Sequence, residues 1–291
     1  MSAQSPLGSV VIPAHNEAEV IRRCLDALVE GFAPGELDVV VIANGCRDDT
    51  VVLAGSCAYP VRVIDLAGAS KAAALRAGDA AALCLPRLYL DADVVVSGAA
   101  ARTVLTRLRD GAVAARPPIT YDFARSSALV RRYYRARSRM PAVLSSLWGA
   151  GAYGLSAAGR GRFDEFPDVV ADDLWLDRQF APDEIEIVDC APVMVMVPRR
   201  PLELIRVLRR TYRGKSEQRR ELVADARSRG TIRATLADLV RTVGAGPAAS
   251  LDAVTYATFA ASARVALAFA TVPGRRGPPR AWERDESSRR S

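Results

Sequence analysis

Two aspartates separated by one residue, Asp91-Ala92-Asp93, follow directly on a short strand-like run, Arg87 to Leu90. A carboxylate pair at the end of a buried strand can hold a hard divalent cation that bridges diphosphate oxygens and neutralises charge as a diphosphate leaves. The same pattern also suits a solvated strand-to-loop turn. A second acidic pair, Asp172-Asp173, opens the stretch DDLWLDRQF. One carboxylate there could take a proton from an attacking hydroxyl, and an acid at a helix start also complements the helix dipole. The one histidine, His15, lies at the end of the first apolar run, followed by Asn16 and Glu17. With no histidine downstream, any further ligand of a cation at Asp91 and Asp93 is a carboxylate or water.

These residues need a frame, and the first third of the chain supplies one. Gly8 to Ala14 and Leu37 to Ala43 are continuous apolar runs, as buried parallel strands are. Val61 to Leu66 and Arg87 to Leu90 read as two more strands. Between them lie helical periods: Val20, Ile21, Cys24, Leu25 and Leu28, then a helix that Asp48-Asp49-Thr50 can cap, then Ser70 to Leu83. Strands alternating with helices imply a doubly wound, mainly parallel α/β sheet, in which ligands bind at the carboxyl ends of strands. His15, Asn16, Glu17, Asn44, Asp91 and Asp93 all fall at such ends. Further on, Phe123 to Arg139 reads as an arginine-rich helix, Gly149 to Ser156 as a glycine-rich strand or loop, and Glu184 to Pro198 as β-rich. From Pro201 the pattern is mainly helical, and Pro273 begins a polar tail.

The motifs VVIPAHNE, ANGCRDDT, SKAAALRAGDAA, LYLDADV and GRFDEFPDVVADDLWLDR, in that order over roughly residues 8 to 200, resemble the family 2 glycosyltransferases with a GT-A fold. The resemblance implies a catalytic domain over 1–200, a helical C-terminal extension over 201–272 and a tail over 273–291. It implies transfer of a sugar from a nucleotide-diphosphate donor to an acceptor hydroxyl, with inversion, assisted by Mg²⁺ or Mn²⁺ at Asp91 and Asp93. Pro13, His15, Asn16, Glu17 and the Asn44 turn would cradle the nucleotide, and Lys71 would face the nucleotide or its phosphates. The family more often has an aspartate-rich turn where this chain has Asn44-Gly45-Cys46, and ordinary turn chemistry accounts for Asn44 equally well. Asp173 matches the family's base and Asp172 the acid beside it. The family often has asparagine where this chain has Arg76, to which no role is given. In LRRTYRGKSE, Arg213 and Lys215 would close over the diphosphate if Gly214 breaks the helix into a loop, and a solvated helix face accounts for them equally well.

The bulk composition sets the alternatives. The chain has 291 residues, half of them apolar, and a net charge of +7 carried almost wholly by arginine. That favours phosphorylated ligands or anionic membranes. Five scattered cysteines without a CxxC pair indicate a reducing compartment. The N-terminus shows no basic and apolar leader pattern, so a cytoplasmic location is expected. Leu251 to Val272 includes Asp252 and Arg264 and reads as a buried or surface-lying helix rather than a span, compatible with peripheral membrane contact. Arg131, Arg132, Arg135, Arg137 and Arg139 appear spread around their helix, and nucleic acid is not expected as a partner. Gly149 to Gly154 spells GxGxxG without the strand before or the helix after that a dinucleotide site needs. Close backbone approach to an acceptor or another strand explains its glycines better. Retaining transfer on the same fold, nucleotidyl transfer, and basic RNA or lipid binding are the rival functions.

Overall fold

A computed structural model describes residues 5–168, 172–221 and 246–270. Two compact units divide the chain. One comprises Met1–Ile119, Leu147–Asp168 and Gln179–Met194, and the other Thr120–Ser146, Val169–Arg178 and Val195–Ser291.

The first unit holds a seven-stranded sheet. Its strands are β1 (Ser9–Ala14), β2 (Asp38–Asn44), β3 (Val61–Leu66), β4 (Arg87–Leu90), β5 (Ala114–Arg116), β7 (Ala152–Leu155) and β8 (Ile185–Ile187), in the order β3-β2-β1-β4-β7-β5-β8. The three pairings among β3, β2, β1 and β4 are parallel, as is β5 with β8, whereas β7 runs antiparallel to both β4 and β5. Every residue of β1 and β2 is buried, as strands covered on both faces require. Pro13 is tolerated in β1 because β4 pairs with β1 only through Val11, so the proline falls where one neighbour has already ended.

Between the strands run α1 (Ile21–Val29), α2 (Thr50–Gly55), α3 (Lys71–Ala81) and α4 (Gly98–Arg109). The apolar stripe of α1 buries Ile21, Cys24, Leu25 and Leu28. Ser70 caps α3, its side chain accepting from the Ala73 amide, a contact of the kind that contributes about 1 kcal/mol. Asp48, not Asp49, serves α2, accepting from the Thr50 amide. The packed face of α3 sets Ala74 against Val40 and Ile42. Its far half is pinned to β4 through Asp79, which accepts from Tyr89, Arg87 and Arg160. Burial works against the Asp79 charge, but those three bonds outweigh it and hold the carboxyl below its ordinary range.

The second unit contains α5 (Ala128–Arg137), α6 (Pro141–Leu144), α8 (Asp172–Asp177), α9 (Pro201–Glu221) and α10 (Pro247–Ala270); α7 (Ala157–Arg160) belongs to the first. A two-stranded sheet pairs β6 (Ile119–Asp122) with β9 (Val193–Met196). Two expectations are corrected here. The arginines of this segment are not all spread around a helix: Arg132 and Arg135 of α5 and Arg139 just after it recur at helical spacing and converge on Asp252 of α10, which is 2% exposed. Three partly exposed cations thus neutralise one buried acid, beside the stacked rings of Tyr133 and Tyr256. Nor does Gly214 open a loop. The helical backbone of α9 continues through it, since one glycine among good helix formers costs only about 1 kcal/mol. The side chains of Arg213 and Lys215, and the tail expected over 273–291, lie outside the described residues. Among the described residues no helix is long and apolar enough to cross a membrane.

Candidate active site

The carboxyl ends of β1 and β2 lead into two loops that are tied together. Asn16 takes a left-handed conformation with φ of 53°. Its amide points at Cys46 Sγ at 3.3 Å and its side-chain oxygen accepts from the Arg47 amide at 2.6 Å. His15 Nδ1 lies 2.5 Å from the Asn44 carbonyl. The Glu17 amide donates to Thr50 Oγ1 at 2.7 Å and the Ala18 amide to Asp48 Oδ2 at 3.2 Å. Desolvation opposes the Asp48 charge, but the Thr50 hydroxyl and the Ala18 and Thr50 amides prevail, so its carboxyl lies below the usual range. Cys46, Asp48 and Thr50 were not singled out from sequence as site residues. The Asp-x-Thr spacing at a turn was the available signal, because such side chains bond nearby amides.

Asn44 is fully buried at the end of β2, and its side-chain oxygen accepts from the Ser70 amide at 2.9 Å. It therefore fixes the start of α3 and the root of Lys71, the first residue of that helix. Lys71 Nζ reaches Asp91 Oδ1 at 2.9 Å, with both side chains partly exposed. Glu17 is buried, and Asp93 is half-buried. The charges of Asp93 and Asp91 both bear on Cys24 beneath them: burial first, then those carboxylates, push its thiol far up. Lys71, Asp91 and Asp93 thus gather at one sheet edge beside the stitched loops of β1 and β2.

Behind Asp91 stands the turn before β7. The Asp91 amide donates to the Gly151 carbonyl at 2.8 Å. Gly151 has a φ of +63°, and a Cβ there would come within 2.5 Å of Val94 Cγ2 and 3.1 Å of Asp91 Oδ2. Gly151 is therefore a close backbone approach, of the turn before β7 to the segment that follows β4. Gly151→Ala is expected to cost about 2 kcal/mol of stability from backbone strain and crowding, read by urea denaturation. Adding Val94→Ala should recover part of that loss.

Asp172 and Asp173 open α8 in the second unit. Asp172 is 4% exposed, whereas Asp173 is half-buried and its Oδ1 accepts from the Leu174 amide at 2.8 Å. Arg76 donates to the Phe166 carbonyl at 2.7 Å. It lines a cleft of about 330 Å³ with Asp79, Arg87 and Arg160. Arg87 opens β4 and Asp91 follows its last residue, so that cleft and the acidic pair sit toward opposite ends of the strand.

Among the described residues no cluster of three or more His, Cys, Asp or Glu side chains could hold a metal. Asp91 and Asp93 nonetheless fit a hard cation. They are oxygen donors at an open strand end, and one of them already carries an ammonium counter-charge.

Comparisons with known proteins bear on the same fold and on the same region of the chain. Residues 9–153, just under half of the chain, match the model for glycosyl transferase family 2, and that segment is assigned to the family. A 55-residue segment is 40% identical to Glycosyltransferase AglE of Haloferax volcanii, covering 19% of this chain and 18% of that protein. In fold, the chain is similar to mannosyltransferase PcManGT from Pyrobaculum calidifontis, solved with GDP-Man and Mn²⁺. The TM-score is 0.64 at 19% identity, over 92% of this chain and 89% of that one. It is also similar to glucosyl-3-phosphoglycerate synthase from Mycobacterium tuberculosis, solved with Mn²⁺, UDP and glucosyl-3-phosphoglycerate. There the TM-score is 0.50 at 20% identity, over 75% of this chain and 81% of that one.

Proposed function

We propose that the chain transfers a sugar from a nucleotide-diphosphate donor to an acceptor hydroxyl, with inversion at the anomeric carbon. The observation that carries this reading is the pair Asp91 and Asp93 following β4, with Lys71 on Asp91, next to the tied loops of β1 and β2. Pro13, His15, Asn16 and Glu17 with the Asn44 turn hold the nucleotide. The buried Asn44 side chain acts by fixing that turn and α3 rather than by reading a base edge. Asp91 and Asp93 would hold Mg²⁺ or Mn²⁺, which when bound supplies Lewis-acid stabilisation of the departing diphosphate. Lys71 adds positive charge for the phosphates. Asp173 takes the proton as the acceptor oxygen bonds to the anomeric carbon and the bond to the nucleoside diphosphate breaks. Asp173 is half-buried where Asp172 is 4% exposed, and that greater accessibility favours Asp173 as the base.

The same reading places the chain in the cytoplasm, against an anionic membrane. The +7 net charge and the exposed Leu251, Val254 and Val265 of α10 support that contact.

The test is calorimetric titration with UDP, GDP and thymidine diphosphate, each with and without Mn²⁺. Metal-dependent binding of one of them is expected. Binding of none, with metal present, overturns the reading.

A further inference from the structure

Lys71 occupies an unusual place for its charge. It is the first residue of α3, where the helix dipole favours an acid and disfavours a cation. It is one of two lysines in a chain with 40 basic residues. Its root is held from two directions: Ser70 caps the helix, and Asn44 at the end of β2 binds the Ser70 amide. From that fixed root its ammonium reaches Asp91 Oδ1 at 2.9 Å. Asp91 is anchored on its other side, with its amide on the Gly151 carbonyl and its carboxylate against a position that has no room for a Cβ. One carboxylate is thus held between a backbone wall and a lysine.

We propose that Lys71 is a resident counter-ion that competes with the divalent cation for Asp91, so that the metal binds well only together with a donor diphosphate. This rests on the reading of Asp91 and Asp93 as the donor's metal site. The ammonium and a divalent ion seek the same lone pairs, and they repel each other. A diphosphate resolves the conflict, because its oxygens accept the ammonium as Asp91 turns to the metal. A lysine suits this exchange better than an arginine: a single point charge on a flexible stem can change partners, whereas a planar guanidinium grips a carboxylate with two bonds. Both side chains are partly exposed, 26% for Lys71 and 39% for Asp91, so solvent screens the pair and the competition is moderate. The turn that carries Asn44 also sets the root of Lys71, so a nucleotide seated on that turn and the ammonium share one support.

The experiment is titration of the full chain with Mn²⁺ alone, followed by the electron paramagnetic resonance signal of free Mn²⁺, and then with UDP or GDP added. Lys71→Met is expected to bind Mn²⁺ alone about tenfold more tightly than the parent chain, the effect of removing one nearby partly screened charge. It should also show weaker coupling between metal and nucleotide. Lys71→Arg should bind Mn²⁺ alone no more tightly than the parent, and Asp91→Asn combined with Lys71→Met should erase the gain. Lys71→Gln serves if the methionine variant does not fold. Mn²⁺ affinity that is unchanged or lowered in Lys71→Met or Lys71→Gln overturns the proposal. A failure of the underlying reading looks different: the parent chain would then show no dependence of nucleotide binding on Mn²⁺ at all.

Discussion

Asp93→Asn is expected to lower turnover by about 10³-fold or more, and to remove metal-dependent nucleotide binding with it. The substitution keeps the shape of the side chain and removes its charge, so packing at this half-buried position changes little. What is lost is one of two anionic oxygen donors at the end of β4. Lys71 reaches the other donor of the pair, Asp91, at 2.9 Å. Two measurements separate the outcomes, single-turnover kinetics with a nucleotide sugar and calorimetry with the matching diphosphate. Retention of near-parent turnover would remove Asp93 from the donor site. Loss of turnover with unchanged metal-dependent binding would assign it a role in chemistry alone.

Asp173→Asn is expected to reduce turnover by about 10²- to 10⁴-fold, the usual contribution of a positioned general base, while leaving nucleotide binding intact. That split distinguishes it from Asp93→Asn. Asp172→Asn makes the informative partner, because Asp172 is 4% exposed at the start of the same helix. Its replacement should show mainly as lost stability, with a smaller effect on turnover per folded molecule. If the two aspartates exchange these phenotypes, Asp172 is the base. The anomeric configuration of the product completes the assignment, since retention would leave Asp173 without the role given to it.

The parts of this architecture legible from the chain are those with a local cause. Continuous apolar runs announce β1 and β2 because both faces of these strands are covered. Ser70 before a helical period marks the start of α3, and Asp172-Asp173 marks the start of α8. The polar residues at strand ends mark, before any packing is known, the edge at which the proposed site lies. What sequence did not disclose depends on partners far along the chain. Arg132, Arg135 and Arg139 look like solvated charges until Asp252 is set among them. Arg76 has no legible role until the Phe166 carbonyl meets it. The continuous α9 was missed because a glycine was weighed as a breaker when its neighbours are strong helix formers. Asn44 was open between turn chemistry and nucleotide contact, and its bond to Ser70 joins the turn to the next helix but one.

The antiparallel insertion of β7 beside β4 also bears on how the molecule comes into being. The acidic pair is encoded within three consecutive residues, yet the wall behind it is a turn that the chain makes much later. The parallel core of β1, β2, β3 and β4 is complete in sequence by Leu90, and it can form while Gly151 is still unplaced. Long-range pairings carry a larger loop-closure cost and form slowly. The Asp91 carboxylate thus acquires its final orientation only when β7 docks. Ribosome-bound chains ending before β7 would carry the pair and the loops of β1 and β2 without the turn that backs Asp91, so that backing is expected to arise late in folding rather than with the sheet itself.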